Sequence, residues 1–527
     1  MSAAAVVKQH INRKFSLHGL LLHADGSKYL ANLLTPLTDD SQKTEWLKRI
    51  LDCILKGTIE SPIVTKAQIE AAVNECTTGD DEGDEQMMVQ IIQAFDFPRF
   101  FFSPERKKFV TAEELKLPPS TLFDVPEQKS QLFCYRYDVI RQRLLRHKLF
   151  TSVGAYGSGE AKMKLHDVEF LLTLKTTLPD VIALGMVVQL KDSKYFLEDP
   201  SGVVPIDLST CRYQSGIFTE SCIVLIEGTF VEGVLRVKAI GHPPIETAEN
   251  SRLQFGNINF FGGSQKTCAK SSEKLKHLEA QNPNAMLVFC SDVWLDKMET
   301  IEMLNKMFLG FQDSPPVAFV FCGNFLSTSY GKQSFQKLTE AFKRFAQLLQ
   351  DFKPLLKSSR LVLVPGPSDL CSSVIYPKSA FPGILRKHFV NIPNVIFSTN
   401  PTRIVYCTQE IVIMREDLLH RMFRTAVHIP QVPVKEMPAH LVKCLLAQAH
   451  LSPLPLHVSP VYWGFDYTMR LYPVPDLLVL ADKFDSYKVQ SNGVMAINPG
   501  SFSAQDRFSF KVYFPQSKEV EESKISE

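Results

Sequence analysis

Four short stretches set polar, potentially ligating residues in loop-forming contexts: "CSDVWLD" (290–296), "CGNFLS" (322–327), "PGPSD" (365–369) and "VLADKFDSY" (479–487). The first three follow the apolar runs "AMLVFC", "VAFVFC" and "RLVLV", which read as strands. Open parallel sheets bind ligands outside the carboxyl ends of their strands, so Asp292, Asn324 and Asp369 stand where a metal ion or a phosphate would be held. Other candidates carry less chemistry. His440, His450 and His457 are ten and seven residues apart, not at the i, i+4 spacing of a helical metal site, and read as satisfied or surface histidines. Asp369, Asp466, Asp476, Asp482 and Asp485 could together hold magnesium, which needs few carboxylates and keeps its waters. Nothing in the sequence brings them together. "GAYGSGE" (154–160) lacks the Lys-Ser/Thr of a phosphate-binding loop and reads as a flexible loop.

The elements that must position these loops divide the chain. At 527 residues it is too long for one core, and about 150 residues per domain predicts several. Residues 1–75 read as a helical domain: Leu47, Ile50, Leu51, Ile54 and Leu55 share one helical face, with Gly57 as the stop. Residues 76–150 read as an acidic linker, "TTGDDEGDEQ", then an aromatic segment with Phe95, Phe97, Phe100, Phe101 and Phe102 docked on another domain, then a basic helix, "RYDVIRQRLLRHKLF". That helix is expected to show a solvated face or to meet an acidic partner. A Thr111/Glu114 capping pattern lies between them. Residues 151–245 carry the strand-like runs "VEFLLTL", "VIALGMVVQL", "KYFLED", "VVPIDL", "CIVLIEGTF" and "VLRVKAI", which suggest a small closed barrel of the OB type. Such barrels stack bases on aromatics. Tyr195 and Phe196 are the candidates, but Glu198 and Asp199 beside them favour barrel core or a docking surface. From 246 to 527 strands alternate with helices, one carrying a stripe of Phe335, Leu338, Phe342, Phe345, Leu349 and Phe352. A parallel α/β sheet follows.

Composition excludes whole classes. Lys plus Arg number 58 against 56 Asp plus Glu, a net charge of +2, so no global field draws the chain onto nucleic acid or an anionic membrane. Eleven cysteines without a C-x-x-C pair fit neither a disulfide framework nor a zinc ribbon, and imply a reducing compartment. No apolar run approaches the roughly 18 residues of a membrane span, and the N-terminus lacks the order of a signal peptide. A soluble cytosolic or nuclear protein is expected.

The order of the polar loops resembles the calcineurin-like metallophosphoesterases, whose loops read D-x-H, G-D-x-x-D and G-N-H-[DE], then an isolated His and G-H-x-H. "MAINPGSFS" (495–503) is similar to the turn after the last of these loops. By that resemblance Asp292 matches the first aspartate. Trp294 replaces the histidine beside it, Asn324 the bridging aspartate and Ser327 the second acid. Pro367 and Ser368 replace the asparagine ligand and catalytic histidine, and Asp482 and Phe484 the last two histidines. A two-metal clamp on an in-line displacement cannot be built from one surviving aspartate. The whole chain resembles the B-subunit family of replicative DNA polymerases, through "YFLEDPSGVVPIDLS", "GNFLS", "PGPSDL", "LLVLADKFDSY" and "INPGSFS", and its separate helical N-terminal domain points to the epsilon branch. The resemblance implies an α+β multidomain chain: a helical N-terminal domain, an OB-type barrel, and an α/β calcineurin-like phosphoesterase domain lacking metal ligands. It further implies a non-catalytic nuclear scaffold without cofactors. Its expected partners are the C-terminal zinc-binding region of the catalytic subunit of DNA polymerase epsilon, the small histone-fold subunits of that complex, and the replicative helicase through the N-terminal domain. DNA would be met only indirectly and membrane not at all. A divergent active phosphoesterase and a single-strand DNA-binding barrel are the alternatives.

Overall fold

The structure is a computed structural model that describes residues 11–16, 19–34, scattered positions from 43 to 54, and residues 63–77, 88–150, 163–265, 267–328, 333–370 and 374–525. Two compact units result, Met1–Met88 and Val89–Glu527. In the first, helices Ala24–Leu34 and Lys66–Thr77 enclose an apolar core. Leu47, Ile50, Leu51 and Ile54 are buried in it with Ile11, Phe15, Leu30 and Ile69. The helical face read from the sequence thus points inward, while Leu55, Gly57, most of the acidic stretch and the 154–160 loop lie outside the described residues.

In the second unit a closed barrel is formed by strands Leu178–Lys191, Lys194–Asp199, Gly202–Asp207, Ile223–Val231 and Val234–Gly241. Closure comes from a parallel pairing of Leu235 and Arg236 with Ile206 and Asp207, after antiparallel pairing elsewhere around the ring. At Gly228 the register slips, and a Cβ there would collide with the Arg236 carbonyl, so the bulge that bends this strand requires glycine. One expected strand is absent: "VEFLLTL" forms the helix Val168–Thr173. Its apolar residues bury at i, i+3 (Val168, Leu171) instead of alternating, and its first amides donate to Asp199 Oδ2 (2.8 Å) and Ser201 Oγ (2.9 Å). The carboxylate that the sequence set beside Tyr195 and Phe196 therefore caps a helix.

Two six-stranded sheets make up the rest. The first runs in the order 395–397, 360–364, 318–322, 287–291, 509–514, 519–524, its first four strands parallel. The second runs 487–491, 494–498, 477–481, 409–415, 402–406, 89–93. Its last strand, Val89–Gln93, comes from the region read as linker and aromatic segment. On helix Ser334–Asp351, Leu338, Phe342, Phe345 and Leu349 are buried against the first sheet with Phe319 and Phe321. Phe335, at the start of the expected stripe, is exposed instead. The aromatic segment is docked as expected for Phe97, Phe100 and Phe101, which are buried; Phe100 meets Phe255, and the more exposed Phe95 meets Phe465 edge-on.

The basic helix, Glu127–Leu145, corrects the expectation of a solvated face. Its Tyr137, Ile140 and Leu144 pack on the barrel residues Leu184, Met186 and Ile223, with Phe196 at the edge of that cluster. Its arginines face the other way. Arg136 pairs with buried Asp466, donating Nε to Oδ2 at 3.0 Å. Arg143, fully buried, donates to the carbonyls of Leu446 (3.1 Å) and Ala447 at the C-terminus of helix Met437–Gln448, where orphan carbonyls and the helix dipole favour a cation. Arg146 pairs with Glu246 at 2.8 Å. The partners of this helix are thus acceptors of its own chain. Burial pushes the Asp466 carboxyl up, but Arg136 and His450 outweigh it and hold it well below the ordinary 3.8. Above about pH 4 the pair therefore stabilises the fold, and this contribution is lost as acid protonates Asp466. Arg136→Met is expected to cost about 3–5 kcal/mol at pH 7 in urea unfolding, because it leaves a buried carboxylate unpaired. The deficit should narrow toward pH 4, where the stranded Asp466 of the variant takes up a proton; a deficit independent of pH would refute the pairing.

Candidate functional site

The four polar loops do converge. At the carboxyl ends of the central strands of both sheets lies an open cleft of about 300 Å³, lined by Asp292, Trp294, Asn324, Ser368, Arg415, Asp417 and Lys483 among others. What fills the place of a metal centre is a side chain. Arg415 ends the strand Gln409–Arg415 and is completely buried. Its Nη2 donates to Asp292 Oδ1 (2.8 Å), Nε to the Gly323 carbonyl (2.6 Å), and Nη1 to Asp417 Oδ1 (2.8 Å) and the Ala481 carbonyl (3.3 Å). Burial alone would lower its pKa, but Asp292 and Asp417 outweigh it and keep the guanidinium charged. In chain order this strand end falls between "PGPSD" and "VLADKF".

Each of the degenerate ligand positions in these loops has a partner within the protein. Asp292 also accepts from the backbone amide (3.0 Å) and the side-chain amide (3.3 Å) of Asn324. Asn324 Oδ1 in turn accepts from Ser368 N at 2.9 Å. Trp294 is half-buried, donates its backbone N–H to Ser503 Oγ (3.0 Å) and carries Lys297 over its ring at 5.0 Å. Ser327 donates from both backbone and side chain to Asp296 (2.9 and 2.6 Å). Pro367 offers its carbonyl to the buried Lys378 at 3.5 Å. Asp482 accepts from the amides of Leu419 and Phe484, both at 3.1 Å, and Phe484 offers its carbonyl to Asn498 Nδ2 (2.9 Å).

These residues do not fit a two-metal centre. The one carboxylate retained at a ligand position is bound by a guanidinium, and its neighbours supply backbone amides, an indole and a proline. Asp369 lies beneath the cleft with Oδ1 on Phe325 N and Oδ2 on Gly366 N, both at 2.8 Å, and burial pushes it up to about 6 despite those donors. Of the other carboxylates considered with it, Asp482 stays near Arg415 and Asp417, while three are scattered: Asp466 meets Arg136, Asp476 meets Lys270 (2.6 Å), and Asp485 meets Arg507 (2.9 Å). Among the described residues no group of three or more His, Cys, Asp or Glu is placed to hold a metal ion. His450 is buried against Asp466 at 3.4 Å, while His457 is exposed. Tyr195 lies on the strand face of buried Leu197, and Phe196, on the opposite face, packs beside helix Glu127–Leu145.

Sequence reading missed Arg415, Asp417, Lys483 and Ser503. The available signal was "MREDLL", a run of three charges at the end of the strand Gln409–Arg415. Arg415→Met leaves Asp292 without its cation and Asp417 with Lys483 alone, and is expected to cost about 3–5 kcal/mol. Asp292→Asn, which keeps an acceptor for Arg415, should cost less, about 1–3 kcal/mol. Denaturant unfolding of both variants checks the order, and equal or reversed losses would deny Arg415 its central place.

Comparison with known proteins agrees with this architecture along the chain. Residues 287–489 match the family of DNA polymerase alpha/epsilon B subunits, residues 126–244 the family "DNA polymerase epsilon subunit 2-like, OB-fold domain", and residues 3–76 the family "DNA polymerases epsilon N terminal". The human "DNA polymerase epsilon subunit 2" is 44% identical over 515 residues, covering 97% of each chain. The Drosophila melanogaster protein of that name is 34% identical, covering 98% of each, and the DNA polymerase epsilon B subunit of Arabidopsis thaliana is 32% identical over the full length of both. A buried arginine among the polar loops, a barrel with a helix packed on its wall, and this similarity from end to end lead to one assignment: the chain belongs to the DNA polymerase epsilon subunit 2 family, the B subunits of that replicative polymerase.

Proposed function

We propose that this chain is a non-catalytic scaffold that holds the catalytic subunit of DNA polymerase epsilon in the nucleus. The observation that carries the reading is the Arg415–Asp292 pair, which uses the first ligand position of a phosphoesterase to tie the two sheets together. The helix Glu127–Leu145 supports it, because it joins barrel and sheets into one unit on which a large partner can rest. The C-terminal zinc-binding region of the catalytic subunit, the histone-fold subunits and the replicative helicase, this last through the N-terminal domain, are the partners proposed from the family resemblance. DNA contact is proposed to be indirect: Phe196 packs beside the helix, and Glu198 and Asp199 stand next to both aromatics.

Coexpression with the catalytic subunit is expected to yield a stoichiometric complex that survives size exclusion. The purified chain with added Mn²⁺ should not hydrolyse bis-p-nitrophenyl phosphate. Turnover that disappears in Asp292→Asn would restore the phosphoesterase reading. For the barrel, Tyr195→Ala should change single-strand DNA affinity by less than about 1 kcal/mol, the lower limit for one stacked base. A larger loss would favour direct DNA binding.

A further inference from the structure

The hairpin of strands Phe100–Ser103 and Lys108–Thr111 closes with the turn "SPERKK" (103–108). Its base is fixed: Phe100, Phe101, Phe109 and Val110 are buried, and the Phe109 ring stacks on Phe255 at 4.3 Å. Its tip is exposed from Pro104 to Lys108. Serine followed by proline is ordinary turn chemistry, and Ser103 Oγ accepts from the Arg106 amide at 3.3 Å. Turn chemistry asks nothing, however, of the side chain at 106.

A Ser-Pro pair with a cation three residues on is the pattern that proline-directed protein kinases select. The proline presents no N–H that a pocket without an acceptor would leave unpaired, and the cation pairs with an anionic site. In this chain Ser-Pro or Thr-Pro occurs at Thr35, Ser61, Ser103, Ser314, Ser452 and Ser459. Only Ser103 has Lys or Arg at the third position after it; the others have Thr38, Val64, Val317, Pro455 and Tyr462 there. Ser452 and Ser459 are buried as well.

A kinase takes its substrate extended, so the tip must open, and what opposes opening is small. Arg106 meets Glu114 at 3.5 Å with both side chains well exposed, and such pairs contribute little. The hydrogen bond from Arg106 to Ser103 is exposed too. Lys107 sits at φ 50°, a left-handed conformation unfavourable for a residue with a side chain, and extension relieves it. Only the terminal rung, Ser103 with Lys108, has to separate while the aromatic base stays packed.

We propose that Ser103 is a phosphorylation site for a proline-directed protein kinase that reads Arg106. Ser103 Oγ attacks the γ-phosphorus of ATP; the new O–P bond forms as the bond to the bridging oxygen breaks, ADP leaves, and the hydroxyl proton passes to the general base of the kinase. The phosphoserine carries about −1.5 to −2 charges at pH 7. Set beside Arg106, Lys107 and Lys108, it draws Arg106 from Glu114 and cancels the positive charge of the tip. The site stands independently of the scaffold reading. The test incubates the full chain with Mg-ATP and a cyclin-dependent kinase, which selects this pattern, and maps phosphate by peptide mass spectrometry in wild type, Ser103→Ala, Arg106→Ala and Glu114→Ala. Phosphate is expected at Ser103 ahead of Ser314, which is exposed but lacks the cation, and Ser103→Ala should lose most of the incorporation. Arg106→Ala should lower kcat/KM at Ser103 about tenfold or more. Glu114→Ala, which frees the same arginine, should not, and the contrast separates recognition of Arg106 from loosening of the turn. Ser103 left unmodified while a control peptide substrate is consumed, phosphate on Ser314 ahead of Ser103, or an undiminished rate in Arg106→Ala would each overturn the proposal.

Discussion

The guanidinium of Arg415 is the interaction on which this architecture depends. A completely buried cation is costly to desolvate and persists only when its donors and its charge are both answered. Here the answers come from separate strand ends: Asp292 and the Gly323 carbonyl just past central strands of the first sheet, the Ala481 carbonyl and Asp417 at the ends of central strands of the second. Asn400 completes the arrangement, accepting from the Arg415 amide (3.2 Å) and donating to its carbonyl (2.7 Å). The two sheets are thereby joined at the cleft where their strand ends converge. A fixed internal cation supplies the neutralising charge for Asp292 without an open coordination position.

The same economy governs the barrel. The face toward which Phe196 points is covered by helix Glu127–Leu145, so the apolar side of that helix and the outer wall of the barrel satisfy each other. Its arginines then find Asp466 and the carbonyl ends of another helix instead of phosphates. Charge that reads as a solvated face or a partner surface in one dimension is largely consumed internally in three.

Much of this was legible in the residue pattern. Alternating and helical periodicities are local properties of the chain, so most of the barrel strands, the stripe from Leu338 to Leu349 and the polar loops after three parallel strands could be read directly. Where two local readings compete, the pattern failed. "VEFLLTL" satisfies a strand template, yet its amides are capped by Asp199 and Ser201, more than thirty residues onward, which makes it a helix. Val89–Gln93 is too short and too near an acidic run to announce itself, and becomes a strand only because the strand Thr402–Tyr406 offers a free edge.

By itself the sequence determined most of the secondary elements, the loops at the strand ends and the residue types found there, because each depends on neighbours along the chain. Tertiary structure alone decided which charges meet. Arg415 and Asp292 are 123 residues apart and Arg136 and Asp466 are 330 apart, and no local pattern encodes a pairing over such a distance. The physical reason is desolvation: only folding removes water from these groups, and only then does a particular partner become necessary.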